Sequence, residues 1–129
     1  MLVLDTHVWL WWMASHERLK PIWQTRIEQA EKVGVSAISL FEVSWLEHHG
    51  RISLGCDPNW WFGQALESSG IDLLPITPQV ATRAVSLEEH HSDPQDRLII
   101  ATALEHQANL LSADGKFKFY DELEGFLIS

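Results

Sequence analysis

The feature that most constrains this chain is its alternation of short apolar runs with longer stretches of helical spacing. Leu2-Val3-Leu4, Val33-Gly34-Val35-Ser36, Ile71 to Pro75 and Asn109-Leu110-Leu111-Ser112 read as buried strands, with Gly125 to Ile128 as a short fifth. The segments between them carry helix signals. Pro21 opens one, with apolar positions at Ile22, Trp23, Ile27 and Ala30. A second runs from about Ser39 to His49 and stops at Gly50, a residue suited to the position just past a helix end. Asp57-Pro58, Thr77-Pro78 and Asp93-Pro94 each put a capping side chain before a proline, which can start a helix but not continue one. The last two helices are expected to reach about Leu87 and about Ala108. Strand–helix–strand units of this length make right-handed crossovers, so the pattern predicts an α/β fold around a parallel sheet.

Bulk composition narrows the class. The 129 residues suit one domain, expected to be 1–129, with 46% hydrophobic and 21% charged residues. One cysteine, Cys56, excludes an internal disulfide and any zinc site that needs two or more thiolates. The opening MLVLDTHVWLWWM lacks a basic leader and is interrupted by Asp5. No uncharged apolar run is long enough for a membrane span, so a cytoplasmic protein with no membrane partner is expected. The formal charge is −9, from 9 basic and 18 acidic residues. That balance is unusual for a nucleic-acid binder, whose affinity rests on Lys and Arg meeting phosphate. Most of the acid, including Glu28, Glu31, Glu88, Glu89, Glu122 and Glu124, reads as solvated surface.

Four acids stand apart by position. In open parallel sheets, sites gather outside the carboxyl ends of the strands. Asp5 follows the first strand directly, and Asp114 lies two residues past the fourth. Glu42 is in the first turn of the helix after the second strand, and Asp96 in the first turn of the helix before the fourth. Each also has an ordinary structural use. Asp5 can cap a helix. Ser39 to Glu42 matches a capping box. Asp96 suits a helix dipole, and Asp114-Gly115 is a turn dipeptide. Together, however, they fall at one predicted sheet edge. Carboxylates crowded there stay ionised only around a cation. Oxygen-only ligands select Mg²⁺ or Mn²⁺ over zinc, and such ions serve phosphate-ester hydrolysis.

The segments LDTHVWLWW at 4–12, SAISLFEVSWL at 36–46, DLLPIT at 72–77, HHSDPQDRLIIATAL at 90–104 and LLSAD at 110–114 resemble PIN-domain proteins, in order and at family-like spacing. They are most similar to the VapC toxins of bacterial toxin–antitoxin pairs. The resemblance implies a three-layer α/β/α domain with a central parallel sheet of four to five short strands. It also implies an endoribonuclease using one or two Mg²⁺ or Mn²⁺ ions, in which metal-activated water leaves 5′-phosphate and 3′-hydroxyl ends. It carries the metal-holding role onto Asp5, Glu42, Asp96 and Asp114. Ser112 stands where the family often has a hydroxyl near the metal, with Thr6 and Asp93 as supporting positions; Asp93 is ranked below Asp96 because it can cap the helix at Pro94. A homodimer and a small antitoxin with a basic DNA-binding half are the implied partners, beside the RNA substrate. Gln95 departs from the aromatic residue many relatives carry there, and the tail after Asp114 matches only loosely.

Other chemistries find little support. There is no H-E-x-x-H, nucleophile elbow, P-loop or G-x-G-x-x-G. His48-His49 suit a helix C-terminus, and His90-His91 form a second pair. His7 is placed equally well in the cleft or in packing. Of seven tryptophans, most are expected in the core, and the others could stack bases or anchor a partner. Lys116 and Lys118 could meet a phosphate, and Arg97 could pair with a carboxylate. The competing reading is a non-catalytic PIN-like module that binds a protein through a Trp-rich face. A third is a phosphatase or DNA nuclease built on the same acids.

Overall fold

In the computed structural model, which describes residues 1–88 and 93–129, five parallel strands form one sheet. Glu89 and the pair His90-His91 lie outside the described residues. The strands are β1 (Leu2–Leu4), β2 (Val33–Ser36), β3 (Asp72–Leu74), β4 (Asn109–Leu111) and β5 (Leu127–Ile128), in the order β3-β2-β1-β4-β5. β1 is central, with Leu2 in register with Val33 on one side and Asn109 on the other.

Alternation of side chains along the strands divides the core in two. Leu2, Leu4, Val35 and Leu111 point to one face. They pack against Val8 and Trp9 of α1 (Thr6–Ala14), Trp23 and Ile27 of α2 (Pro21–Gln29), and Val43 of α3 (Ile38–His48). α4 (Pro58–Gly63) and a following π-helical turn (Gln64–Ser68) add Trp61, Phe62 and Ala65 to that side. Val3, Leu74 and Leu110 point the other way, onto Ile99, Ile100, Ala103 and Leu104 of α6 (Pro94–Glu105) and onto Phe117, Tyr120 and Leu123 of two 3₁₀ turns. α5 (Pro78–Ser86) packs outside α6, through Val80 and Ala84 on Ala101. The expected three layers are therefore present. Gly34 is fixed by a close approach: a Cβ there would stand 2.8 Å from the Leu74 side chain.

The expected caps are found where proline follows them. Asp57, Thr77 and Asp93 accept from the amides of Asn59, Val80 and Gln95. Gly50 takes φ +69° after α3. Four expectations need correction. Ser39 does not cap α3, because the helix starts at Ile38, two residues before a cap at Ser39 would allow, which places Glu42 beyond both the capping-box position and the expected first turn. α6 ends at Glu105, three residues short of Ala108. Ile22 is 68% exposed, since only Trp23 and Ile27 of that stretch turn inward. Glu122 is half-buried rather than solvated, and one of its carboxylate oxygens accepts from the Glu88 amide. No helix among the described residues is long and apolar enough to cross a membrane.

Candidate active site

Strand order decides where a site can form. The chain steps outward from β1 to β2 to β3, then crosses back to lay β4 on the other side of β1. The carboxyl ends of β1 and β4 thus flank a reversal point, the place where open α/β sheets leave a crevice. A cleft of about 310 Å³ opens there, and Asp5, Glu42, Asp93, Asp96 and Asp114 all line it. Four of these acids reach it from four separate segments, namely the end of β1, the body of α3, the first turn of α6 and the loop after β4.

Asp5 is the most tightly held. One carboxylate oxygen accepts from the Val8 amide at 2.8 Å and so caps α1. The other accepts from Ser112 Oγ at 2.6 Å and from the Ala113 amide at 3.2 Å. Capping and site-lining are thus both true of this residue. Ser112 Oγ in turn accepts from the Asp114 amide at 3.0 Å, and Asp114 accepts from the Lys116 amide. Asp93 likewise caps α6 and lines the cleft. His7, left open by the sequence, lies at the cleft wall and is exposed.

Buried hydroxyls gather near the carboxyl ends of β1, β2 and β4, where Thr6 lines the cleft. Among the described residues, the buried polar side chains are Asp5, Thr6, Ser36, Ser39, Thr102 and Ser112. Thr6 and Ser39 hydroxyls bond each other at 2.8 Å, and Thr102 Oγ1 donates to Ser36 Oγ at 3.3 Å. Sequence reasoning picked out Thr6 and Ser112 but missed Ser36, Ser39 and Thr102. Small polar residues on otherwise apolar faces were the available signal, and the capping-box pattern misdirected it for Ser39. Among the described residues Arg97 meets no carboxylate; its guanidinium donates to the carbonyls of Val85, Leu87 and Glu88. Lys118 lies over the Phe119 ring, away from the cleft.

The electrostatics are those of like charges without a counter-ion. Burial pushes the Asp96 carboxyl from 3.8 up to about 8, and Asp93, Asp114, Glu42 and Asp5 add repulsion. Burial also raises Asp5, against the opposing bonds from Ser112 and Val8 and the nearby His7. It raises Glu42 as well; Thr6 and His7 oppose this, and Asp93 and Asp5 reinforce it. Among the described residues, no three His, Cys, Asp or Glu side chains converge into a finished ion cage. The acids line one cleft at wider spacing than such a cage. The donor set fits a small hard cation that keeps several waters of its own and takes only a few carboxylates.

A family model for the PIN domain matches residues 2–123. Ribonuclease VapC22 of Mycobacterium tuberculosis is 40% identical over 118 residues, 91% of this chain and 89% of the relative. Among solved structures, VapBC2 from Rickettsia felis bound to a DNA fragment from their promoter superposes with a TM-score of 0.71 at 14% identity, covering 99% of this chain and 98% of the other. A toxin–antitoxin complex from Klebsiella pneumoniae gives 0.68 at 18% identity, covering 100% and 97%. Those two likenesses speak for the fold, and the match in sequence speaks for descent: the chain belongs to the PIN-domain family.

Proposed function

We propose that this protein, as one domain over residues 1–129, is an endoribonuclease of the VapC type, the toxin of a toxin–antitoxin pair. The observation that carries this is the meeting of Asp5, Glu42, Asp96 and Asp114 in one cleft, from four segments, with burial driving the first three toward protonation and repulsion from the other acids adding to it at Glu42 and Asp96. The 40% identity to a ribonuclease over most of both chains supports the same reading. These four acids hold one or two Mg²⁺ or Mn²⁺ ions. When bound, such ions supply charge neutralisation of the scissile phosphate and acidification of a water.

The chain's own residues do the rest. Ser112 keeps one Asp5 oxygen oriented by donating to it, while α1 fixes the other. Thr6 stands beside Glu42 and holds Ser39, so the hydroxyl beside the carboxylate is itself braced. Asp93 adds negative charge at the rim, strengthening cation binding without the central position of Asp96. The protein acts in the cytoplasm on RNA, as a homodimer restrained by a small antitoxin. The names of the structural neighbours, which are toxin–antitoxin complexes, support that partner.

The test is cleavage of a mixed RNA pool by antitoxin-free protein with Mn²⁺, with EDTA and as the Asp96→Asn variant. Cleavage requiring both metal and Asp96 is expected. Cleavage that persists in EDTA, or in Asp96→Asn at the wild-type rate, would overturn the reading.

A further inference from the structure

A second concavity, of about 630 Å³, adjoins the acidic cleft and shares His7 and Trp11 with it. Its character is the reverse of the cleft's. Arg18, Arg51 and His16 line it, and among the described residues no Asp or Glu does. That is a notable concentration in a chain of net charge −9 with nine Lys and Arg. Two of the other cations are already engaged: Arg83 pairs with Glu105 at 3.1 Å, and Arg97 donates to three carbonyls.

Aromatic rings are interleaved with these cations. Trp11 lies between His7 and His16, each with its ring centre 6.2 Å away. Arg51 extends over Trp45 at 5.8 Å, and Trp45 stacks on His49 at 4.0 Å. Arginine offers a fork suited to phosphate while its flat face rests on a ring. Aromatic faces beside cations are how single-stranded nucleic acid is held without base-specific contacts. A basic peptide segment would meet Arg18 and Arg51 as like charges, whereas a phosphodiester strand complements them.

Resting on the ribonuclease reading above, we infer that the groove lined by Trp11, Arg18 and Arg51 seats the single-stranded RNA that flanks the scissile phosphate. The strand leaves the cleft past His7, lays a base on Trp11 and sets backbone phosphates against the two guanidiniums. The acidic cleft by itself repels RNA; the groove supplies the attraction that brings it in. Its volume falls within the roughly 300–1,000 Å³ of pockets that enclose small-molecule-sized groups such as one nucleotide or two.

The test uses the full chain and a fluorescently labelled single-stranded oligoribonucleotide. Steady-state cleavage is compared for the wild type, Arg18→Ala, Arg51→Ala and Trp11→Leu. Affinity is measured in parallel, in the cleavage-deficient Asp96→Asn background, as a function of salt. Each arginine replacement is expected to raise KM several-fold with kcat unchanged. Each should also flatten the slope of log affinity against log salt by about 0.7, the value for one phosphate contact on a single strand. Trp11→Leu should weaken binding by about fivefold or more, the loss of one stacked base. Unchanged KM, affinity and salt slope in both arginine variants would overturn the inference, even with wild-type cleavage intact. So would arginine variants that keep their RNA affinity but lose hold of a co-expressed antitoxin, because the groove would then be a protein seat. Absence of cleavage by the wild type would strike the ribonuclease reading instead, and the affinity arm would still decide the groove.

Discussion

The acidic cleft and the apolar core beneath α1 begin at the same strand ends and obey opposite rules. In the core, Trp9 is fully buried, lies 5.1 Å from the Trp61 ring and donates its indole N–H to the Ala65 carbonyl. Its ring is packed on every side and its one polar atom has a partner. A few residues away, Asp5 is 6% exposed, and Asp96 is surrounded by four carboxylates that oppose its charge. The same sheet edge thus carries one region relaxed by folding and one loaded by it. Natural chains break such rules mainly where function requires it, and perturbed carboxyls in a cleft are a physical sign of this.

Substitutions separate the two regions in opposite directions. Asp96→Asn is expected to lower RNA cleavage by about a thousandfold or more, on the order of 4 kcal/mol of transition-state stabilisation, while leaving the fold intact. Circular dichroism beside a cleavage assay reads both effects, and a folded variant of normal activity would erase the contrast. Asp5→Asn is a less clean probe, because an amide placed where Asp5 accepts from Ser112 and Ala113 leaves a donor facing a donor. Trp9→Ala should do the reverse of Asp96→Asn. It should cost about 3–5 kcal/mol of stability in urea unfolding, through the cavity it leaves.

Metal should relieve the load in the cleft alone. At a concentration one hundred times its dissociation constant, Mn²⁺ is expected to stabilise the wild type by about 2.7 kcal/mol, seen as a rise in Tm, and the Asp96→Asn variant by much less. Ser112→Ala should weaken Mn²⁺ binding by about 10–100-fold, as loss of a partner that orients a ligand usually does. Titration calorimetry would measure it, and an unchanged affinity would show that Asp5 needs no such partner.

A pH scan sharpens the electrostatic half. Unfolded, Asp96 ionises near 3.8; folded and metal-free, near 8. Between those values the folded state keeps a proton that the unfolded state has lost, so stability falls as pH rises through the window. Tm in EDTA should therefore decline from about pH 5 to pH 8, and the decline should be shallower in Asp96→Asn. An equal slope in both proteins would mean that the crowding is carried elsewhere.

Much of this was legible in the sequence, for local reasons. Strand ends followed by acids, and prolines preceded by Asp or Thr, are signals contained in a few adjacent residues. They placed β1, β2, β4 and the caps at Asp57, Thr77 and Asp93. What local signals could not show was competition from distant partners. Ser39 has the form of a cap, but its hydroxyl is taken by Thr6, 33 residues away. Ile22 matches a helical stripe, but the stripe that α2 presents to the sheet is only Trp23 and Ile27 wide. Arg18 and Arg51 stand far apart in the chain and become neighbours only around a groove that folding creates. The four acids were readable because two follow strand ends and two stand near the start of a helix. The buried pair Ser36 and Thr102 was not, because the two meet only in three dimensions.

The bond from Ser112 to Asp5 spans 107 positions. Closing so long a loop is costly, and contacts of such separation are slow to form. A chain emerging from the ribosome holds Asp5 long before it holds the strand that leads to Ser112. The centre therefore waits on a distant part of the chain. A polypeptide cut short before Ser112 carries three of the four acids and, of the three partners of Asp5, only the Val8 amide. Full alignment of the cleft is deferred, by topology, until the fourth strand is in place.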